Sequence, residues 1–380
     1  MQTINSKLPH IGTTIFTKMS KLATEYNAVN LSQGFPNFKA DTNLLELVNK
    51  AMKDNLNQYA PLAGLPELNE AVLQKTNNLY GSQYTQEEIC ITAGATQAIF
   101  TSLAASIHPG DEVIVFKPAY DCYEPAVELF GGKSIPIEMK APDYKIDWNE
   151  VQSKISPKTK MILINSPHNP TGKVFTEDDM KALSLLTEHT NILILSDEVY
   201  EHMTFDGRPH LSIANYPELK ERSFITASFG KTFHVTGWKL GYVLAPKNLM
   251  KEFKKIHQYN VFCVNHPMQV AISQYIKDDN MYLSIPKFYQ QKRDYFLSLI
   301  KDSRFKYIPT EGTYFQMADY SAISDEKDTD FTLRMIKEYG LAAIPFSVFN
   351  KDQKCHKMIR FCFAKTDETL EKAAEIINRI

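Results

Sequence analysis

The chain has 380 residues, an apolar fraction of 43% and a net charge of -2. The length exceeds a typical single domain, so two domains are expected, and the composition is that of a globular protein with a sizeable core. The near-neutral charge gives no reason to expect nucleic acid or a membrane surface as partner, and no run of 18 apolar residues is present.

Residues 1–20 have no basic segment followed by an apolar core, so no export signal is expected. Next comes Pro66, which suits the first turn of a helix with Leu68, Ala71, Val72 and Leu79 on one face. Short apolar runs then read as strands: Glu88–Thr92, Glu112–Phe116, Lys133–Ile137, Met161–Asn165, Ile192–Ser196, Phe224–Ala227 and Leu240–Ala245. Amphipathic segments such as Gln97–Ser106, Tyr123–Phe130 and Glu177–Glu188 lie between them. The alternation predicts an α/β fold, with a mostly parallel sheet between helices. Lys251–Ile276 reads as one long helix interrupted near Pro267. Beyond it, Tyr289–Ile300, Thr313–Met317, Leu333–Glu338, Met358–Phe363 and Glu368–Ile380 mix helix and strand without regular alternation, which predicts a smaller α+β domain. The five cysteines, Cys90, Cys122, Cys263, Cys355 and Cys362, are scattered and odd in number, which fits free thiols in a reducing cytoplasm.

The candidate chemistry sits at the predicted strand ends, where open α/β sheets bind ligands. Ala93-Gly94-Ala95-Thr96-Gln97 joins a strand to a helix and offers small residues and helical N–H groups to a phosphate. Small residues also make ordinary tight turns. Tyr120, in Lys117-Pro-Ala-Tyr, is a candidate to stack on a ring, or a partly buried loop tyrosine. Asn165 ends a predicted strand and Asp197 directly follows one, with Tyr200 three residues further on. Such positions favour Asn and Asp as turn residues in any case. Lys231 lies between Ser228 and Lys239 in a glycine-bearing polar segment. Partial burial and a neighbouring cation would favour its neutral amine. Together these groups supply an amine for a Schiff base, a carboxylate for a pyridine nitrogen, and donors for a phosphate, which are the parts of a pyridoxal 5'-phosphate site. Arg360 interrupts the apolar run Met358–Phe363, where it either grips a substrate carboxylate or makes a structural ion pair. No metal is expected, since the ten histidines have no ligand-like spacing, and neither a GxGxxG fingerprint nor a P-loop is present.

Longer motifs extend this pattern: Leu31-Ser-Gln-Gly34-Phe-Pro-Asn, Asn57-Gln-Tyr59-Ala-Pro, His168-Asn-Pro-Thr-Gly172, Ser196–Glu201, Ser228–Tyr242 and Ile344–Phe349. Through them the chain resembles the class I aminotransferases of fold-type I along nearly its whole length. The likeness is strongest to bacterial methionine aminotransferases and to the kynurenine aminotransferase and glutamine transaminase K group. The resemblance implies a large cofactor-binding domain over residues 41–277 and a small domain from residues 1–40 and 278–380. It implies that Lys231 carries the cofactor, that Asp197 pairs with the pyridine nitrogen, and that Asn169 and Tyr200 meet the ring's phenolic oxygen. It assigns phosphate to Ala95, Thr96, Ser228 and Lys239, joined by Tyr59 of the partner subunit in a homodimer with shared sites. Gly34, Asn169 and Arg360 would hold the α-carboxylate, with Phe16, Tyr59, Phe262, Cys263 and Phe349 around the substrate side chain.

Lys239 stands where many of these enzymes have arginine, which replaces a bidentate phosphate contact with a point charge. Phe16 and Cys263 match a tryptophan and a histidine of the kynurenine aminotransferases, which points away from kynurenine. The expected function is a cytoplasmic, ping-pong aminotransferase acting on methionine and aromatic amino acids with a 2-oxo acid. The alternatives are a cysteine-S-conjugate β-lyase, a kynurenine aminotransferase, and a non-enzymatic cofactor-sensing domain.

Overall fold

A computed structural model describes residues 4–350 and 352–380. Its strands are β1 (Val29–Asn30), β2 (Ile89–Thr92), β3 (Glu112–Lys117), β4 (Lys133–Glu138), β5 (Thr159–Asn165) and β6 (Leu193–Asp197). They continue with β7 (Ser223–Ser228), β8 (Gly241–Leu244), β9 (Phe315–Asp319), β10 (Leu341–Ala342), β11 (Ile344–Pro345) and β12 (Met358–Cys362).

Seven strands form one sheet in the order β2-β8-β7-β6-β5-β3-β4. The runs Met161–Asn165 and Ile194–Asp197 are buried throughout, because helices cover both faces of the sheet. Every neighbouring pair is parallel except those of β8, which is antiparallel to both β2 and β7. Pairing sets Asn165 beside Asp197, and sets Gly241 between Ser228 and Thr92. One edge of the sheet therefore collects the ends of β2, β5, β6 and β7. A Cβ on Gly241 would lie 2.5 Å from the Ala227 carbonyl and 3.1 Å from the Ala95 nitrogen, so glycine lets β8 pass under the turn that starts the next helix.

A second sheet, β11-β12-β9, is antiparallel and places Arg360 opposite Met317. β1 pairs with β10, bringing residues 29–30 to residues 341–342. A core of residues such as Phe296, Tyr314, Phe331 and Phe361 packs this part of the chain.

The expected long helix is two, Lys247–Asn260 and His266–Tyr275. Between them Phe262 takes φ +71°, and Asn265 caps the second helix by accepting from the Met268 N–H at 3.0 Å. Pro267 then occupies that helix's first turn, where its missing N–H is not needed. The segment Leu333–Glu338 ends in a π-helical turn, Met335–Tyr339. Helices Ile15–Glu25 and Thr42–Lys53 were not anticipated. Among the described residues no helix is long and apolar enough to cross a membrane.

Candidate active site

A cavity of about 310 Å³ opens at the strand-end edge of the large sheet. At one end the helix Ala95–Ser106 points its first turn inward. Gly94 precedes it at φ +79° and offers no side-chain cap, so the N–H groups of this turn face the cavity with the helix dipole behind them. Ala95, Thr96, Ser228 and Lys239 line this end. A Cβ on Gly94 would lie 3.4 Å from the Lys239 Nζ, so the ammonium sits directly over the turn. Donors, a cation and a helix N-terminus on one concave wall match a phosphate.

Asp197, Asn169, Tyr120, Tyr200 and Lys231 line the middle. Asp197 is buried, and its Oδ2 accepts from the Tyr123 hydroxyl at 2.5 Å. Burial raises its pKa to about 6, against a lowering by the Tyr123 hydrogen bond. A cationic ring nitrogen beside it would favour the carboxylate. The Asn165 side chain ties the two strand ends together: its Nδ2 donates to the Asp197 carbonyl at 2.8 Å, and its Oδ1 accepts from the Asn169 N–H at 2.8 Å. Lys231 is held at a pKa of about 8, chiefly by burial. Its Nζ donates to the Tyr314 hydroxyl at 2.9 Å and to the Gly34 carbonyl at 3.1 Å.

The far end holds Arg360, Gly34 and Phe16. Arg360 is 1% exposed, yet its hydrogen bonds go only to neutral oxygens: Nη1 to Asn169 Oδ1 at 2.7 Å and Nη2 to the Ser32 carbonyl at 3.4 Å. Among the described residues its buried Nε has no partner. The ion-pair reading of this arginine is therefore not met among the described residues. Burial lowers its pKa to about 10, still far above neutral pH. The rings of Phe315, Phe349 and Phe16 pack around the guanidinium, with centroids 3.7, 5.1 and 5.4 Å away.

Phe349 is buried behind this end and does not line the cavity. Tyr59 and Phe262 are also outside its wall; they lie on the surface, 82% and 46% exposed, with ring centroids 5.4 Å apart. Three site residues were missed by the sequence reading: Tyr123, Tyr314 and Phe315. Tyr123 lies three residues after Tyr120, close enough in sequence to have been considered with it. Nothing local marked the other two.

The donor set fits pyridoxal phosphate on its own chemistry. Anion donors, a buried carboxylate hydrogen-bonded only by neutral groups and a buried amine of lowered pKa share one cavity.

Residues 26–377 match the profile of the family described as aminotransferase class I and II. The chain belongs to the class I and II aminotransferases. This aminotransferase is 44% identical to a methionine aminotransferase of Escherichia coli, over 99% of its own length and 98% of the relative's. It is 36% identical to human kynurenine–oxoglutarate transaminase 3, over 98% and 89% of the two chains. Among solved structures it is similar to an Escherichia coli protein described as having a methionine aminotransferase function, with a TM-score of 0.98, 43% identity and full coverage of both chains. The aminotransferase is thus a transaminase of the fold-type I architecture. Among its described residues no group of three or more His, Cys, Asp or Glu is arranged to hold a metal ion.

Proposed function

We propose that this aminotransferase uses pyridoxal 5'-phosphate to move the amino group of methionine and aromatic amino acids to a 2-oxo acid. The single observation that carries the reading is Arg360: a buried guanidinium with no carboxylate partner among the described residues, opening on the same cavity as Lys231 and Asp197. Leaving such a charge without an anion costs several kcal/mol, which a substrate carboxylate offsets.

The bound cofactor supplies an electron sink for the substrate's α-carbon. In this reading Ala95, Thr96, Ser228 and Lys239 hold its phosphate, and Asp197 stabilises a proton on its pyridine nitrogen. Asn169 and Tyr200 meet its phenolic oxygen, and Tyr120 covers its face. Arg360, Asn169 and Gly34 fix the α-carboxylate, which aims the α-hydrogen at Lys231. The Lys231 amine takes that proton as base and, as acid, would deliver it to the cofactor's C4′ carbon rather than back to the α-carbon. The cycle is ping-pong, the first 2-oxo acid leaving before the second binds.

We read the enzyme as a cytoplasmic homodimer in which Tyr59 serves the partner's site; its exposure with Phe262 supports a covered surface. We also read residues 41–277 as a large domain, with residues 1–40 and 278–380 as a small one. All strands from β2 to β8 fall inside the first range, and β1 and β9 to β12 fall outside it. The side-chain preference follows the 44%-identical methionine aminotransferase and the aromatic residues beside Arg360.

The test is a set of half-reactions. Purified enzyme loaded with cofactor is mixed with methionine and no acceptor, and the 2-oxo acid is measured by mass spectrometry. One equivalent of 4-methylthio-2-oxobutanoate per site is expected; none would remove the reading.

A further inference from the structure

The Lys231 amine does not point free into the cavity. It rests against two oxygens, the Tyr314 hydroxyl at 2.9 Å, from behind the wall, and the Gly34 carbonyl at 3.1 Å, from the substrate end of the cavity. These two oxygens are themselves joined, since Tyr314 donates to the Gly34 carbonyl at 2.6 Å. Tyr314 has no exposed surface and does not line the cavity. Its ring is wedged edge-on against Tyr200, at 5.3 Å and 85°. Gly34 has no room for a side chain, because a Cβ there would lie 2.8 Å from the Phe315 ring.

An independent sign of function lies one residue upstream. Thr313 sits at φ +65°, an outlier for a β-branched residue. It is held there by its N–H bond to the Met203 carbonyl at 2.9 Å and by the bridge between Thr204 and Gly312. Strain of this kind persists only where the surroundings over-determine it, and it gathers at working sites. Tyr314 follows directly, with its hydroxyl on the Lys231 amine.

We propose that Tyr314 is a further catalytic residue: with the Gly34 carbonyl it receives the Lys231 amine whenever that amine is not joined to the cofactor, and it orients the amine for proton transfer. A neutral amine has two N–H groups and one lone pair. Both N–H groups are taken by the two oxygens, so the lone pair faces the cavity. As the substrate's α-C–H bond breaks, the lone pair forms the third N–H bond, and the C–H electron pair stays with the substrate carbon. The same proton would later pass from Nζ to the cofactor's C4′ carbon, which restores the Nζ lone pair. Tyr314 keeps its own proton throughout, shared with the Gly34 carbonyl; burial raises the phenol's pKa well above its ordinary value, which keeps it a donor. The inference rests on the assignment of Lys231 as the cofactor-bearing lysine.

The experiment uses Tyr314→Phe with Tyr289→Phe as control. The Tyr289 hydroxyl lies in the same aromatic cluster, is buried, and has no hydrogen-bond partner among the described residues. Borohydride reduction and peptide mapping of each loaded enzyme first locate the label. A label away from Lys231 overturns the site assignment and this inference with it. The second readout needs no cofactor: the pH dependence of acetic anhydride labelling of Lys231 in the apoenzyme. Tyr314 accepts from the amine, and such a bond favours the charged form, so its loss shifts the labelling midpoint to lower pH by half a unit or more. The third is the single-turnover rate with α-deuterated methionine, expected to fall at least tenfold with a larger isotope effect, while Tyr289→Phe matches the wild type. If Tyr314→Phe keeps its label on Lys231 but leaves the midpoint and the isotope effect unchanged, Tyr314 has no part in the proton transfer. If both phenylalanine variants slow equally, the effect belongs to packing and the proposal falls.

Discussion

Arg360 donates from Nη1 to the side-chain oxygen of Asn169 at 2.7 Å, across 191 residues of sequence. That bond uses one end of the guanidinium. Nη2 is engaged only at 3.4 Å, by the Ser32 carbonyl, so the planar guanidinium keeps donor capacity for a carboxylate.

Arg360→Lys keeps a charge but removes the planar, multidentate donor. Two charge-assisted hydrogen bonds, each worth about 1.5–3 kcal/mol, are at stake, so kcat/KM for methionine should fall roughly 100- to 10,000-fold. The carboxylate is held in ground state and transition state alike, so most of the loss should appear in KM. Amine donors without a carboxylate provide the check: wild type and variant should then react at equal rates. A large loss with those donors would mean that Arg360 supports the site in some other way.

Asp197→Asn should stabilise the apoenzyme while abolishing turnover. Burial raises the Asp197 carboxyl from 3.8 to about 6 in the folded chain. Below pH 3.8 folded and unfolded forms are both protonated. As pH rises toward 6 the unfolded form ionises first, so stability is lost, and above about 6 the loss is complete. Asparagine titrates in neither state. At pH 8 the variant should therefore gain about 2–3 kcal/mol over wild type, shrinking at pH 5. Urea unfolding of both apoenzymes at the two pH values, at one protein concentration, measures it. An equal difference at both would contradict the assigned titration.

Tyr59→Phe and Lys231→Ala subunits should complement each other. A hybrid dimer has one doubly damaged site and one intact site if Tyr59 reaches across the interface. Cofactor is kept below the level that saturates Tyr59→Phe, where loss of one hydrogen bond, about 1 kcal/mol, weakens binding several-fold. Mixed subunits should regain activity as exchange proceeds. No recovery after exchange is verified by mass spectrometry would assign Tyr59 to its own subunit.

Methionine and phenylalanine should outpace aspartate by at least 100-fold in kcat/KM with a common acceptor. The cations lining the cavity are Lys231, Lys239 and Arg360, and the first two are assigned to the Schiff base and the phosphate. A side-chain carboxylate beside Phe16 and Phe315 would lack a partner, at a cost of several kcal/mol. A thioether gains apolar burial there, with about 0.3–1.5 kcal/mol from sulfur–aromatic contact. Comparable values for aspartate would mean that the partner subunit brings a cation into the pocket.

The sequence by itself determined the sheet, its strand-end motifs and the family, because those signals are local. A buried strand is a short apolar run, and the residues that close it are its immediate neighbours. Asn165, Asp197 and Ser228 could be placed at one edge for that reason, and Gly94-Ala95-Thr96 at the start of a helix. The antiparallel course of β8 and the split of the Lys247–Tyr275 region depended on pairing and on a single left-handed residue, Phe262. What surrounds each reactive group was decided only by tertiary structure. Tyr123 reaches Asp197 across 74 residues, Tyr314 reaches Lys231 across 83, and Tyr314 reaches Gly34 across 280. No periodicity or turn chemistry encodes such meetings, since each depends on how separate elements pack. The same holds for Arg360: the apolar strand around it made its charge conspicuous, but only packing left it without a carboxylate.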